Sequence, residues 1–557
     1  MEADLRILKQ AGANVIWIGH NNPGEVIADK AEPGLSYAVY AASRDPANPD
    51  YAIAQAVIEA QRHMLSAARA VGLRVVFPIG YQIQMGRAWN DAHPEALRRS
   101  ATGEPLDIYG GGVSASPYSP DYRADIRAYY EWVLKQFVVP YRDVMLMLNL
   151  ADEPLGGDYS TAAEAEFRAR TGVSFAEASE ADLGAFQDRV VVDYAIWSAQ
   201  QWAELAPGLP ITLSFDGAQA RWSYHLPDLE ALFRDTPPNF VVSFDAYLHD
   251  APAANPLTEA EVGALILLAR TLGDYSARYQ RDVWLWTAGN DWGLAAESEN
   301  PGEIGDALAN GYLLAHAMRS TGGLLRGLAV WNYNVRGQGL LWEIRPAAYD
   351  RVVMFTRLSA AFPAWRALMK AEGGRADTLV LFSNGWTRHH IGETREAVLG
   401  SPLEVNHLLP LARADVPLAI VGELPPLEQT AIQLVIVLDP TASHLTNIDL
   451  DRLRRFAEGG GRVLATQTIS ETLDSGSITL LPDDPTALDE AGWAAALKVA
   501  VPSSGLMISS PTAALFYQPG NAPAALPPAQ TWRLFDRMGR PREGGLQLGQ
   551  HEFALSP

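Results

Sequence analysis

Val144-Met-Leu-Met-Leu-Asn-Leu150, running on through Ala151 into Asp152-Glu153-Pro154, is the stretch that decides the fold of this 557-residue chain. Its continuous apolar character is that of a strand buried on both faces, as in parallel sheets covered by helices. Two adjacent carboxylates stand at its C-terminal end, and a proline stops it. Adjacent strand residues point to opposite faces, so Asp152 and Glu153 are not a redundant charge pair. In a parallel α/β barrel, the C-terminal ends of the strands are where catalytic groups sit.

Six further apolar runs, at residues 14–19, 73–80, 209–216, 240–245, 282–287 and 328–333, have the same look. Helical patterns at 54–70, 121–136, 181–206, 258–272 and 304–320 separate them. Strands alternating with helices imply a parallel sheet. Seven such strands, most ending in a polar residue, predict an α/β chain built on a (β/α)8 TIM barrel over residues 1–372. Residues 1–11 read as a helix, so the first barrel strand is expected to be missing.

A smaller α/β domain of flavodoxin-like order is expected over 373–500. Its signals are strands at 376–383 and 431–439, a helix at 448–458, and a strand at 462–466. Gly459-Gly-Gly461 follows that helix and precedes a strand, which is the order of a helix C-cap and the reverse of a nucleotide-binding turn. Residues 501–557 are rich in Pro and Ala. They contain short strand-like pieces such as Thr531-Trp-Arg-Leu-Phe535 and Phe553-Ala-Leu555, and read as a β-like segment or a loosely ordered tail.

Composition narrows the function. A net charge of −22 argues against nucleic acid, which needs basic surface to neutralise phosphate, and against anionic membrane surfaces. The chain has no cysteine, so disulfides, thiol nucleophiles and thiolate metal sites are excluded. The N-terminal residues show no apolar signal region, and no apolar run is long enough to span a bilayer. A cytoplasmic location is therefore expected. Arg388-His389-His390 lacks a carboxylate pattern and reads as surface. No metal and no organic cofactor is implied.

The chain resembles the family 42 glycoside hydrolases, the β-galactosidase-like enzymes of a clan with a retaining mechanism. The resemblance is carried by Asp4-Leu-Arg-Ile-Leu-Lys-Gln-Ala-Gly-Ala-Asn-Val15, Ser116-Pro-Tyr-Ser-Pro-Asp-Tyr-Arg123, Asp152-Glu153-Pro154, Glu166-Phe-Arg-Ala-Arg-Thr-Gly172 and Phe456-Ala-Glu-Gly-Gly-Gly-Arg-Val-Leu464. It implies a carbohydrate substrate, Glu153 as acid/base, and a second domain that mediates trimer formation, so a homo-oligomer (dimer or trimer) is expected. The chain departs from the pattern twice. The clan usually has Asn before the acid/base Glu, and here it is Asp152. The clan's nucleophile is a Glu at the end of strand seven, and here Trp284-Leu-Trp-Thr-Ala-Gly-Asn290 has no carboxylate. Asp291 is the nearest.

Three readings follow. In the first, the enzyme is an exo-acting β-N-acetylhexosaminidase (a β-N-acetylglucosaminidase). The substrate's own 2-acetamido group attacks the anomeric carbon, an established exception to the two-carboxylate scheme. The adjacent Asp-Glu pair is similar to that of such enzymes, with Glu153 as acid and Asp152 orienting the acetamide. In the second, the chain is a β-galactosidase-like retaining glycosidase without its strand-seven nucleophile. In the third, the barrel binds carbohydrate without cleaving it. The remaining rim candidates for sugar contacts are His20 and Asn21 after the first run, Asp245 and Tyr247 after the fifth, Trp286, Asn290 and Asp291 after the sixth, and Trp331 and Tyr333 at the seventh. Each of these also reads as a plain loop or core residue. Asp216 is a weaker candidate, and Glu343 reads as helix-start or surface.

Overall fold

The computed structural model describes residues 2–18, 34–81, 83–106, 112–154, 156–216, 228–245, 259–288, 311, 313–331, 359, 363, 366, 369–370, 373–383, 405–474, 478–485, 488–499, 501–502, 504–510, 513–518, 524–526, 533–535, 541–542, 547–548 and 552–556. The chain divides into two compact units: residues 1–216 with 225–244, and residues 217–224 with 245–557.

The first unit alternates helix and strand. Helix α1 (Glu2–Ala11) leads into β1 (Val15–Trp17), and α2 (Tyr37–Ser43) and α3 (Tyr51–Val71) lead into β2 (Arg74–Pro78). After α4 (Arg87–Ala92) and α5 (Pro120–Val133) comes β3 (Met145–Asp152), the strand read first in the sequence. Helices α6 (Thr161–Thr171) and α7 (Glu180–Leu205) precede β4 (Ile211–Asp216), and α8 (Leu229–Asp235) precedes β5 (Phe240–Asp245). Helix starts follow side-chain capping. Ser119 caps α5 through the Tyr122 amide, Ser160 caps α6 through Ala163, and Ser179 caps α7 through Asp182. Each hydroxyl satisfies an amide that has no partner within its helix.

The second unit holds α9 (Glu259–Tyr279), β6 (Asp282–Ala288), a helical segment at 313–320, and β7 (Leu324–Trp331). The seven strands are ordered in the sheet as they are in the chain, and the pairs β1–β2, β2–β3, β3–β4 and β6–β7 are parallel. This is the TIM-type (β/α) barrel that the alternating pattern predicts, with seven strands among the described residues. Strand β7 begins four residues earlier than its apolar run suggests, because Arg326-Gly327 interrupts the run without ending the ladder. Gly327 pairs with Trp284, and a Cβ there would lie 2.2 Å from the indole ring. Only glycine lets that ring lie across the neighbouring strand. Replacing Gly327 by alanine is expected to cost about 1–3 kcal/mol through overpacking. The check is the midpoint of urea unfolding, and an unchanged midpoint would show that the ring moves aside freely.

A five-stranded sheet follows, built from β8 (Thr378–Leu381), β9 (Leu418–Val421), β10 (Leu434–Val437), β11 (Arg462–Ala465) and β12 (Ile478–Leu480). Its order, β12-β11-β10-β8-β9, with parallel pairing throughout, is the flavodoxin-like order. Helices α10 (Val405–Arg413), α11 (Asn447–Glu458), α12 (Gln467–Leu473) and α13 (Glu490–Leu497) accompany it. Helix α11 ends in the glycine cap expected from sequence, with Gly460 at φ 88° and the Gly461 amide donating to the Phe456 carbonyl. Residues from 506 onward form a second five-stranded sheet, and its paired strands are antiparallel. The C-terminal segment is thus a β-structure around Phe516, Leu526, Leu534 and Ala554. No described helix is long and apolar enough to cross a membrane.

The ends of β8 and β10 flank the point where the flavodoxin-like strand order reverses. There the buried Asp439 carboxylate accepts the Ser383 amide at 2.9 Å and the Ser383 hydroxyl. Burial pushes the Asp439 carboxyl up to about 6. The folded state therefore binds a proton that the unfolded chain releases near 4. Between about pH 4 and 6, stability falls as pH rises. Replacing Asp439 by asparagine is expected to remove this slope, worth on the order of 2–3 kcal/mol at 1.36 kcal/mol per pKa unit. Unfolding midpoints measured across pH 4–7 check it, and a slope that survives the substitution assigns it to another group.

Candidate active site

The site is built on the end of β3. The strand runs two residues beyond the apolar stretch, so Asp152 is its last residue and pairs with Ser214 of β4. The register between the two strands shifts between Asn149 and Asp152. Such irregularities re-aim side chains near active sites. Glu153 follows at φ 43°. This left-handed backbone is unusual for a non-glycine residue and costs on the order of 1 kcal/mol. The Glu153 amide donates to the Ser214 carbonyl at 2.8 Å, and Asn149 Nδ2 donates to Ser214 Oγ at 3.2 Å. Ser214 therefore fixes the strand end through both its backbone and its side chain. Asp152 and Glu153 are half-buried, while Pro154 is buried.

The loop after Pro154 is clamped from below. Arg98 is fully buried, and its Nη2 donates to the carbonyls of Gly156 and of Gly157, the latter at 2.8 Å. Burial pulls the Arg98 pKa down, and the nearby Asp158 charge opposes this. Asp158 is also fully buried. Its carboxylate accepts the amides of Arg99 at 3.3 Å and Ser160 at 2.9 Å. From α7, Gln187 Oε1 accepts the Asp158 amide at 2.6 Å, and its Nε2 donates to the Asp158 carbonyl at 3.1 Å. A Cβ on Gly157 would meet Gln187 Oε1 at 2.3 Å, so glycine is required there. Residues 156–158, just after the carboxylate pair, are thus braced by buried hydrogen bonds, as a preorganised site needs of its supports.

Strand β6 contributes no second carboxylate. It runs in register with β7 as far as Ala288, opposite Trp331. Its acidic residue, Asp282, stands at the other end of the strand and pairs with Arg326 at 2.9 Å. Trp286 is buried, at 3% exposure, and Trp284 is at 9%. Asp245, Asp216 and Trp331 are the last residues of β5, β4 and β7, so their backbones stand at strand ends. Their side chains are not among those described. His20, Asn21, Tyr247, Asn290, Asp291, Tyr333, Glu343 and Arg388-His389-His390 lie outside the described residues.

Arg98, Gln187 and Ser214 were not found by sequence reasoning. Asn149 carried a signal, as a polar residue inside an otherwise apolar run. Among the described residues, one group of mixed donors has metal-ligand proximity: His93, Glu95 and Asp121.

No protein-family model and no curated protein matches the chain. Solved structures do. The β-galactosidase of the psychrophilic Marinomonas ef1 is 12% identical with a TM-score of 0.69, covering 100% of this chain and 97% of that one. A catalytic mutant of a GH42 β-galactosidase from G. stearothermophilus is 12% identical with a TM-score of 0.66, covering 100% and 95%. A GH42 exo-carrageenase from Bacteroides ovatus is 12% identical with a TM-score of 0.58, covering 87% and 74%. The chain has the fold of the family 42 β-galactosidases over its whole length.

Proposed function

We propose that this chain is a glycoside hydrolase of the β-galactosidase-like kind, in which Glu153 is the general acid and β6 supplies no nucleophile. The observation that carries this is the Asp152-Glu153 pair at the C-terminal end of β3, held on a braced rim in a barrel of the family 42 fold. Such rims are where barrel enzymes place their chemistry. Glu153 protonates the glycosidic oxygen as the anomeric bond breaks, and a water molecule bonds to the anomeric carbon and releases its proton to solvent. The Asp152 side chain beside it stabilises the positive charge that develops on the sugar ring.

A second reading rests on one specific observation, the coincidence of Asp152 where the clan has Asn with a β6 that lacks a carboxylate. A β-N-acetylhexosaminide brings its own nucleophile, and Asp152 then orients the acetamide N–H. A panel of nitrophenyl glycosides separates the two. Turnover of the β-galactoside above that of the N-acetylglucosaminide is expected. The reverse preference would transfer the assignment to substrate assistance. Sugar binding without turnover of either would leave a carbohydrate-binding barrel.

A further inference from the structure

We infer that His93, Glu95 and Asp121 form a binding site for a late first-row divalent cation of the zinc class, placed to pin the β2–α5 connection. One donor atom from each residue lies within 4.8 Å of the other two. Ligands about 2.0–2.2 Å from a tetrahedral zinc stand about 3.4 Å apart, and His93 Nδ1 lies 4.0 Å from Asp121 Oδ2. Both acids are exposed, so side-chain rotation can close the remaining gap of about 1 Å.

The imidazole is what raises this group above an acidic patch. It is stacked on Trp89, with ring centroids 4.7 Å apart and an interplanar angle of 28°. Trp89 is buried and donates its Nε1–H to Asp125 at 2.7 Å. The ring is therefore held in one plane before any ion arrives, which reduces the entropy lost on binding. The His93 backbone is fixed too, its amide donating to the Trp89 carbonyl at 2.9 Å. Among the described residues, neither Glu95 nor Asp121 forms an ion pair with Lys or Arg. Their charges face the imidazole instead. One imidazole with two carboxylates suits zinc and its neighbours, whereas magnesium favours oxygen-only sets that keep several waters.

The three donors come from the C-cap of α4, the 3-10 turn Pro94–Ala96 and the first turn of α5. Two residues beyond that turn is Arg98, the clamp under the rim loop. A bound ion joins the start of this excursion to α5 and so stiffens the support of the rim. The inference concerns structure and does not depend on the hydrolase assignment.

The test is calorimetric titration of the metal-free full-length chain with Zn2+, with Mg2+ as the contrasting probe, followed by thermal unfolding with and without Zn2+. One Zn2+ per chain and a raised unfolding midpoint are expected. His93→Phe, which keeps the stacking on Trp89, combined with Asp121→Asn is expected to weaken zinc binding on the order of tenfold or more. The midpoint of this variant without metal should stay near that of the parent. No zinc binding, equal binding of Mg2+, or an unchanged zinc titration in the double variant (ions held by the other histidines) would each overturn the site.

Discussion

Replacing Glu153 by glutamine is expected to slow hydrolysis of glycosides with poor leaving groups on the order of 10²- to 10⁴-fold, the usual range for a lost general acid. The substitution keeps the size of the side chain and the left-handed backbone at residue 153, and removes only the proton that the leaving oxygen needs. The signature is therefore a dependence on the leaving group. Aryl glycosides that depart as stable phenolates need little protonation and should lose far less activity than alkyl glycosides. A loss of equal size across all leaving groups would mean that Glu153 shapes the site and does not donate the proton. The amide of Glu153 is tied to the Ser214 carbonyl at 2.8 Å, so this variant is expected to fold.

The second large effect lies in the second unit. Asp415→Ala is expected to cost about 3–5 kcal/mol of stability, because it leaves a buried guanidinium without its counter-charge. The Arg270 side chain, on α9, is fully buried, and its Nη2 lies 3.0 Å from Asp415 Oδ1. The same oxygen accepts the Ser509 amide at 2.8 Å. Burial pushes the Asp415 carboxyl up and the Arg270 guanidinium down, each opposed by the other's charge. A parallel link runs from Arg413 to Glu259 at 2.9 Å and to Glu490 at 2.6 Å, and Glu259 also accepts the Gly505 amide at 3.0 Å. Helix α9, the segment before β9 and the first strand of the C-terminal sheet are thus joined by charge. Asp415 sits at φ 50°, a region that asparagine tolerates, so Asp415→Asn should lose less than the alanine variant. Removing both charges with Arg270→Met and Asp415→Asn should recover part of the loss. Unfolding midpoints of the single and double variants check this. A double variant as unstable as the sum of the singles would show that the pair is not coupled.

The barrel was legible because strands buried on both faces write continuous apolar runs, and each of the seven overlaps its run, β7 beginning four residues early. Their ends were less so. β3 extends to Asp152 because its register with β4 shifts after Asn149, which no local pattern records. β9 escaped notice because it is four residues long and follows Pro417. The Asp152-Glu153 pair was readable as charge at the end of an apolar run. Its supports were not, since Arg98 and Ser214 reach it from 58 and 65 residues away from their partners. Likewise, His93 and Asp121 are adjacent only because α5 turns back toward the end of α4, and no metal-binding spacing announces them.

The central claim is a glycosidase with an acid at the end of β3 and no nucleophile on β6, and it is tested most directly by adding azide to a nitrophenyl β-galactoside reaction and determining the anomeric configuration of the product. With Glu153 donating the proton and azide displacing the aglycone in one step, faster turnover and the α-glycosyl azide are expected. Turnover indifferent to azide, with hydrolysis that retains the β configuration, would contradict the account and require a nucleophile of the chain's own.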